Sequence, residues 1–324
     1  MCCKISKMPD KQSHFKLYRE SPVYQLFVSI LIVAGVGIVS LIIFILAGIL
    51  IFGSDLSVLE KSGAVLSNTD SGFLRYLLII QDISLFIIPS IIILVMMKPD
   101  STKRLNELKF PLLKEIGLVI VLAFCIFPVT SFTGQINSAM HFPDWLSGVE
   151  KWMEEKEDYA NSIINQALFA PSFAMMIINL FIIAILPAVG EEFFFRGVLQ
   201  KILIKLFKSG HVAIWVTAFI FSAMHFQFFG FVPRFILGLI FGYLFFWSGT
   251  LWLPVISHFI NNAVPVIMAY KQGMEKFNAP SDTPLWKMAL ALPLPVAIGL
   301  IILFYFRNRS KINDRPEITQ GDLF

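Results

Sequence analysis

Charge is scarce in this chain. Only 15% of its 324 residues are Asp, Glu, Lys or Arg, where a soluble protein carries about 25%. With 56% hydrophobic residues and several apolar runs at or beyond the ~20 residues that cross a bilayer, this shortage excludes a soluble domain. Cysteine is scarcer still. Of the three present, Cys125 lies in an apolar run, and Cys2-Cys3 stand near the N-terminus with no lipobox before them. That excludes a disulfide framework and leaves inert thiols. The closing Gly-Asp-Leu-Phe lacks a cysteine at the prenylation position, so the chain is not expected to be a prenyl acceptor itself. No internal repeat, low-complexity tract or soluble domain interrupts the sequence.

What remains is hydrocarbon in long blocks. Eight membrane spans are expected, at about 23–52, 73–97, 115–135, 170–190, 211–227, 231–249, 253–270 and 287–307, giving an all-α polytopic bundle. The first run is too long for the 7–15-residue core of a signal peptide and is expected to stay as a helix. Basic residues cluster in four places: Lys4 to Arg19, Lys98 to Lys114, Arg196 to Lys208, and Arg307 to Arg315. With eight spans all four fall on one side, which places both termini in the cytoplasm. The net charge of +4 is therefore explained by topology and implies no nucleic acid.

The long connection at 136–169 is acidic, with Asp144, Glu150, Glu154, Glu155, Glu157 and Asp158. Its Trp145, Leu146, Val149, Trp152 and Met153 have the spacing of an amphipathic helix at the membrane surface; a solvated cap over the bundle fits equally well. Arg75 and Asp82 lie two helical turns apart in the second span and are read as structural contacts to other helices.

The most informative residues interrupt the fourth run. Glu191 and Glu192 follow Pro187 and Gly190 and precede Phe193-Phe-Phe-Arg196, although each ionisable group there costs roughly 2.5–3.5 kcal/mol. Glu192 and Arg196 have the four-residue spacing of a helical ion pair. Glu191, turned by about 100° on the helix, has no counter-charge in cis and is the better acid–base candidate. Of five histidines, His225 and His258 lie in apolar spans; Phe221 precedes His225 by four residues and Asn262 follows His258 by four. Alone, each is a helix-to-helix hydrogen bond. Together they form a water-activating base with an oxyanion clamp.

This order, Glu191-Glu192-x-x-x-Arg196, Phe221-x-x-x-His225, His258-x-x-x-Asn262, resembles the three-motif signature of the CPBP family, which includes the CAAX prenyl endoprotease and the Abi-type bacteriocin-processing or immunity proteins. The resemblance covers about residues 170–270, as a catalytic helix core between N-terminal helices (1–169) and a last helix with a basic tail (271–324). It implies an endopeptidase of membrane-anchored or hydrophobic peptides, prenylated or leader-type, in a bacterial cytoplasmic membrane. Glu191 and His225 would activate water, His258 and Asn262 would hold the oxyanion, and Glu192 and Arg196 would brace the helix. No cofactor is expected, since no His-Glu-x-x-His run is present; a divalent metal at Glu191, His225 and His258 stays open. A non-catalytic immunity or binding protein, and less readily a proton-coupled transporter, are the alternatives. For the motifs to meet, either the helices are axially offset or the fourth helix runs well past Arg196.

Overall fold

The computed structural model describes residues 17–53, 56–57, 68–97, 107–278 and 283–312, and among these the regular structure is entirely helical. Ten helices are used below: α1 (Pro22–Phe52), α2 (Asp70–Met96), α3 (Leu113–Ser138), α4 (Ser147–Leu168), α5 (Phe173–Phe207), α6 (Gly210–Ala223), α7 (Phe231–Ser248), α8 (Trp252–Gln272), α9 (Leu285–Ala291) and α10 (Pro293–Ile312). Six segments are long and apolar enough to cross a membrane, namely α1, α2, α3, α5, α7 with its preceding turn, and α8. The pair α9–α10, bent by 41°, makes a seventh if counted as one span. Each of the eight expected apolar segments is a helix. The fifth, α6, has only 14 residues, about 21 Å, which is short of the bilayer core.

α5 runs through the centre of the fold. Its 35 residues extend about 52 Å and place Glu191 and Glu192 at mid-helix, with Arg196 far from either end. The extension past Arg196 that the motif geometry requires is thus present. Two wide π-turns, Leu180–Ile185 and Phe195–Leu199, flank the glutamates. The first lies just before Pro187, and α2 repeats the device with a π-turn at Ile83–Ile87 before Pro89. Proline cannot donate to the carbonyl four residues back and its ring collides with it. A widened turn there opens the backbone locally instead of breaking the helix.

Close approaches hold the other helices to α5. A Cβ on Gly190 would stand 3.1 Å from Ile87 and 3.3 Å from Phe86, so α2 crosses α5 beside the glutamates. In the α6–α7 hairpin, a Cβ on Gly238 would come within 3.0 Å of the Ala218 backbone. The basic end of the bundle is strapped by Glu107: its carbonyl accepts from Leu251 N–H (3.0 Å) and its carboxylate pairs with buried Lys201. Arg309 pairs with Glu115 in the same way.

α4 is the amphipathic helix expected in the acidic connection. Met153 is buried while Lys151, Glu154 and Glu155 are exposed, and α4 reaches the turn that follows α6. Glu157 accepts from Phe229 N–H (3.3 Å), Asn161 Oδ1 accepts from Gln227 Nε2 (3.2 Å), and Trp152 lies against Phe228. α4 therefore caps the bundle at that end.

Candidate active site

Glu192 is the hub of a buried polar network. Its Oε1 accepts from Arg196 Nη1 at 2.8 Å and meets His258 Nδ1 at 3.0 Å. Glu192 and Arg196 are wholly buried and His258 nearly so. The expected i,i+4 pair thus exists, and it recruits the histidine of a third helix. A carboxylate accepts hydrogen bonds only, so Nδ1 of His258 carries a hydrogen and Nε2 is the atom left for other work.

The polar stripe on α5 continues beyond the signature. Arg196 Nη2 donates to Gly238 O at 3.0 Å, and one turn further Gln200 Nε2 donates to Gly242 O at 3.1 Å. Side chains four apart on α5 thus read carbonyls four apart on α7. The two glycines leave room for this ladder: a Cβ on Gly242 would meet Gln200 Oε1 at 3.1 Å and Ile214 at 2.8 Å. The Arg196 guanidinium also lies over the rings of Phe221 (4.9 Å), Phe241 (5.4 Å) and Phe195 (5.8 Å), a cation–π cage around the buried charge.

Phe221 joins the two histidines. Its ring centroid is 5.2 Å from that of His225 and 5.9 Å from that of His258, which also stacks on Phe241 at 5.1 Å. His225 stands in the turn just past α6, where Phe226 takes a left-handed φ of 52°. Its Nδ1 lies 2.8 Å from Phe221 O. A carbonyl only accepts, so Nδ1 is protonated and Nε2 presents the lone pair.

Asn262 has a neighbour that explains its position. Its Nδ2 donates to Ile183 O at 3.3 Å, the carbonyl four residues before Pro187 that proline cannot serve. One N–H of the carboxamide is thereby spent on holding α8 to the opened turn of α5, and the second remains. Glu191 Oε2 is buried without a hydrogen-bond partner. Arg234 of α7 donates to Gln227 O and to Gln227 Oε1, each at 2.9 Å.

The structure thus bonds Glu192, Arg196 and His258 together, links both histidines through Phe221, and seats Asn262 on α5 beside the same turn. Sequence reading passed over Gln200, Arg234 and the glycine ladder. Gln200 repeats the spacing of Glu192 and Arg196, a signal that was available; Arg234 carried none. Arg75 is the structural contact expected, donating to Asn179 Oδ1 (3.1 Å) and Phe169 O (2.9 Å). A cavity of about 390 Å³ beneath α4 is lined by Ser138, His141, Glu154, Glu157, Asn161, Phe229 and Gly230, and no signature residue borders it. Among the described residues no three His, Cys, Asp or Glu side chains are grouped so as to hold a metal ion.

Residues 173–264 match the Rce1-like family, described as type II CAAX prenyl endopeptidase Rce1-like; the matched segment contains every signature residue. A curated relative, "Uncharacterized protein YpbD" of Bacillus subtilis (strain 168), is 32% identical over 120 residues, which are 36% of this chain and 57% of the relative. The chain thus spans little more than half the length of the curated relative it matches. No solved structure matches.

Proposed function

We propose, from an Rce1-like domain at residues 173–264 set in a bundle of membrane helices, that this protein is an intramembrane endopeptidase using a glutamate-activated water. Glu191 takes a proton from water while His225 Nε2 orients it, and the oxygen attacks the peptide carbonyl carbon. With Nδ1 held by Glu192, His258 offers Nε2 to the oxyanion, joined by the free N–H of Asn262. As the C–N bond breaks, Glu191 passes its proton to the leaving nitrogen. No covalent acyl-enzyme forms. Glu192 and Arg196 touch no reacting atom; they hold His258 and α5 in place.

The observation that carries this reading is the sealed His258–Glu192–Arg196 relay with Glu191 beside it, its Oε2 unpartnered. A buried carboxylate without a protein partner is costly, and activating water is work that accounts for it. The substrate class follows from the surroundings: a hydrophobic or membrane-anchored peptide, of which a prenylated C-terminus is the form the family description suggests. The test is mass spectrometry of membrane and secreted peptides from cells carrying wild-type protein or Glu191→Ala. Peptide termini that vanish with Glu191→Ala support the enzyme. Identical peptide sets, with a biological effect retained, assign the cluster to partner binding.

A further inference from the structure

The turn that carries His225 is strained and yet firmly held. Phe226, the next residue, has a φ of 52°, a left-handed conformation that a bulky side chain rarely adopts. Phe226 is 62% exposed, so packing of its ring does not explain the conformation. Strain of this kind persists only where surrounding contacts over-determine it. Here they converge on Gln227, a buried residue one step further. Arg234 of α7 donates from Nη1 to Gln227 O and from Nη2 to Gln227 Oε1, both at 2.9 Å. Gln227 Nε2 in turn donates to Asn161 Oδ1 of α4. The far side of the turn is pinned separately: Phe229 N–H donates to Glu157, Val232 N–H to Asn137 Oδ1 at 2.8 Å, and Ser222 Oγ to Phe231 O at 2.6 Å.

Two features of α7 place Arg234 for this contact. It stands four residues before Gly238 and eight before Gly242, on the helix face whose carbonyls accept from Arg196 and Gln200 of α5. Four residues before it is Gly230, whose missing side chain leaves the space the guanidinium fills: a Cβ there would collide with Arg234 Nη2.

We propose that Arg234 is a positioning residue for the hydrolysis: through Gln227 it holds the left-handed turn that sets where His225 stands. The contact needs a planar fork, because one acceptor is a main-chain oxygen and the other a side-chain oxygen. Arg234 touches neither water nor substrate and exchanges no proton. Because Gln227 also bonds to Asn161, the amphipathic cap α4 is tied to the same turn. This inference rests on His225 being the residue that orients the attacking water.

The test reads His225 itself, without a substrate. Full-length protein carrying isotope-labelled histidine is studied in lipid nanodiscs by solid-state NMR. With five histidines in the chain, the ring signals of His225 and His258 are assigned by their loss in His225→Gln and His258→Gln. Wild type shows one set for His225, with Nδ1 protonated. Gly230→Ala is the gentlest probe: it displaces the end of a flexible side chain, and the backbone at φ −104° is unstrained. Gly230→Ala and Arg234→Lys both split or broaden the His225 signals and leave those of His258 sharp, because Glu192 holds that ring. Adding Phe226→Asn to either variant restores a single set, since asparagine accepts a left-handed φ more readily. Release of new peptide termini from membranes of cells lacking the gene falls about 10- to 100-fold in both single variants and recovers with Phe226→Asn. His225 signals that stay single in Arg234→Lys, or in Gly230→Ala should Arg234→Lys not fold, overturn the inference, as does equal broadening of His258. Undiminished cleavage by Glu191→Gln instead removes the enzyme reading, while the spectra still decide whether Arg234 places His225.

Discussion

α1 and α5 are both long apolar helices, and they are used in opposite ways. α1 is the most apolar of the spans, yet almost none of it is buried. Ile43, Leu46 and Leu50 face outward at 57%, 57% and 85% exposure. α5 carries two glutamates, an arginine, a glutamine and a lysine over Glu191–Lys201, and all five are buried. In lipid the surroundings are as apolar as leucine, so apolar side chains gain nothing by turning inward. Polar ones must. Polarity, rather than hydrophobicity, marks the interior here.

The comparison breaks most sharply at Glu191. Glu191→Gln should lower peptide cleavage by at least about 100-fold, the scale of a lost general base, while thermal unfolding in detergent stays within about 1 kcal/mol. Next in size is Arg196→Met. It leaves Glu192 buried without its counter-charge, and removing one member of such a pair costs roughly 3–5 kcal/mol, read as a drop in unfolding midpoint together with loss of activity. Gly238→Leu should cost roughly 1–3 kcal/mol by overpacking, since its Cβ alone comes within 3.0 Å of Ala218.

A smaller effect belongs to Glu157 on the α4 cap. Burial pushes its carboxyl above the ordinary range, and the Arg234 charge draws it back in part. A carboxyl raised on folding stabilises the fold at pH below its unfolded value and loses that contribution as pH rises through its folded one. Glu157→Gln should therefore unfold at a slightly higher temperature than wild type at pH 8, with the gap closing toward pH 4; a scan of unfolding temperature against pH measures it. Smallest of all is Ile43→Ala on α1, expected within about 0.5 kcal/mol of wild type by the same melts. A large loss there would mean that the exposed face of α1 packs on something other than lipid.

How much of this could be read from residues alone differs between helices. Spans and the Glu192–Arg196 pair were legible because period and charge are local properties. The short α6 was not: hydropathy counts 211–227 as continuous, but the chain turns at Phe226, whose left-handed backbone no composition signals. His258 bonding to Glu192 joins residues 66 apart, and the spacing of one motif cannot give the distance to another. The Asn262–Ile183 bond was inferable only in halves. Pro187 announces an orphaned carbonyl, and nothing in sequence says which side chain serves it.

The central claim, a peptidase whose base is Glu191, is tested most directly by new peptide termini. Purified wild-type and Glu191→Gln proteins in nanodiscs are incubated with membranes from cells lacking the gene, and newly exposed amino termini are labelled and sequenced. The account predicts a defined set of new termini with wild type that is absent with Glu191→Gln. The same set from both proteins would contradict it.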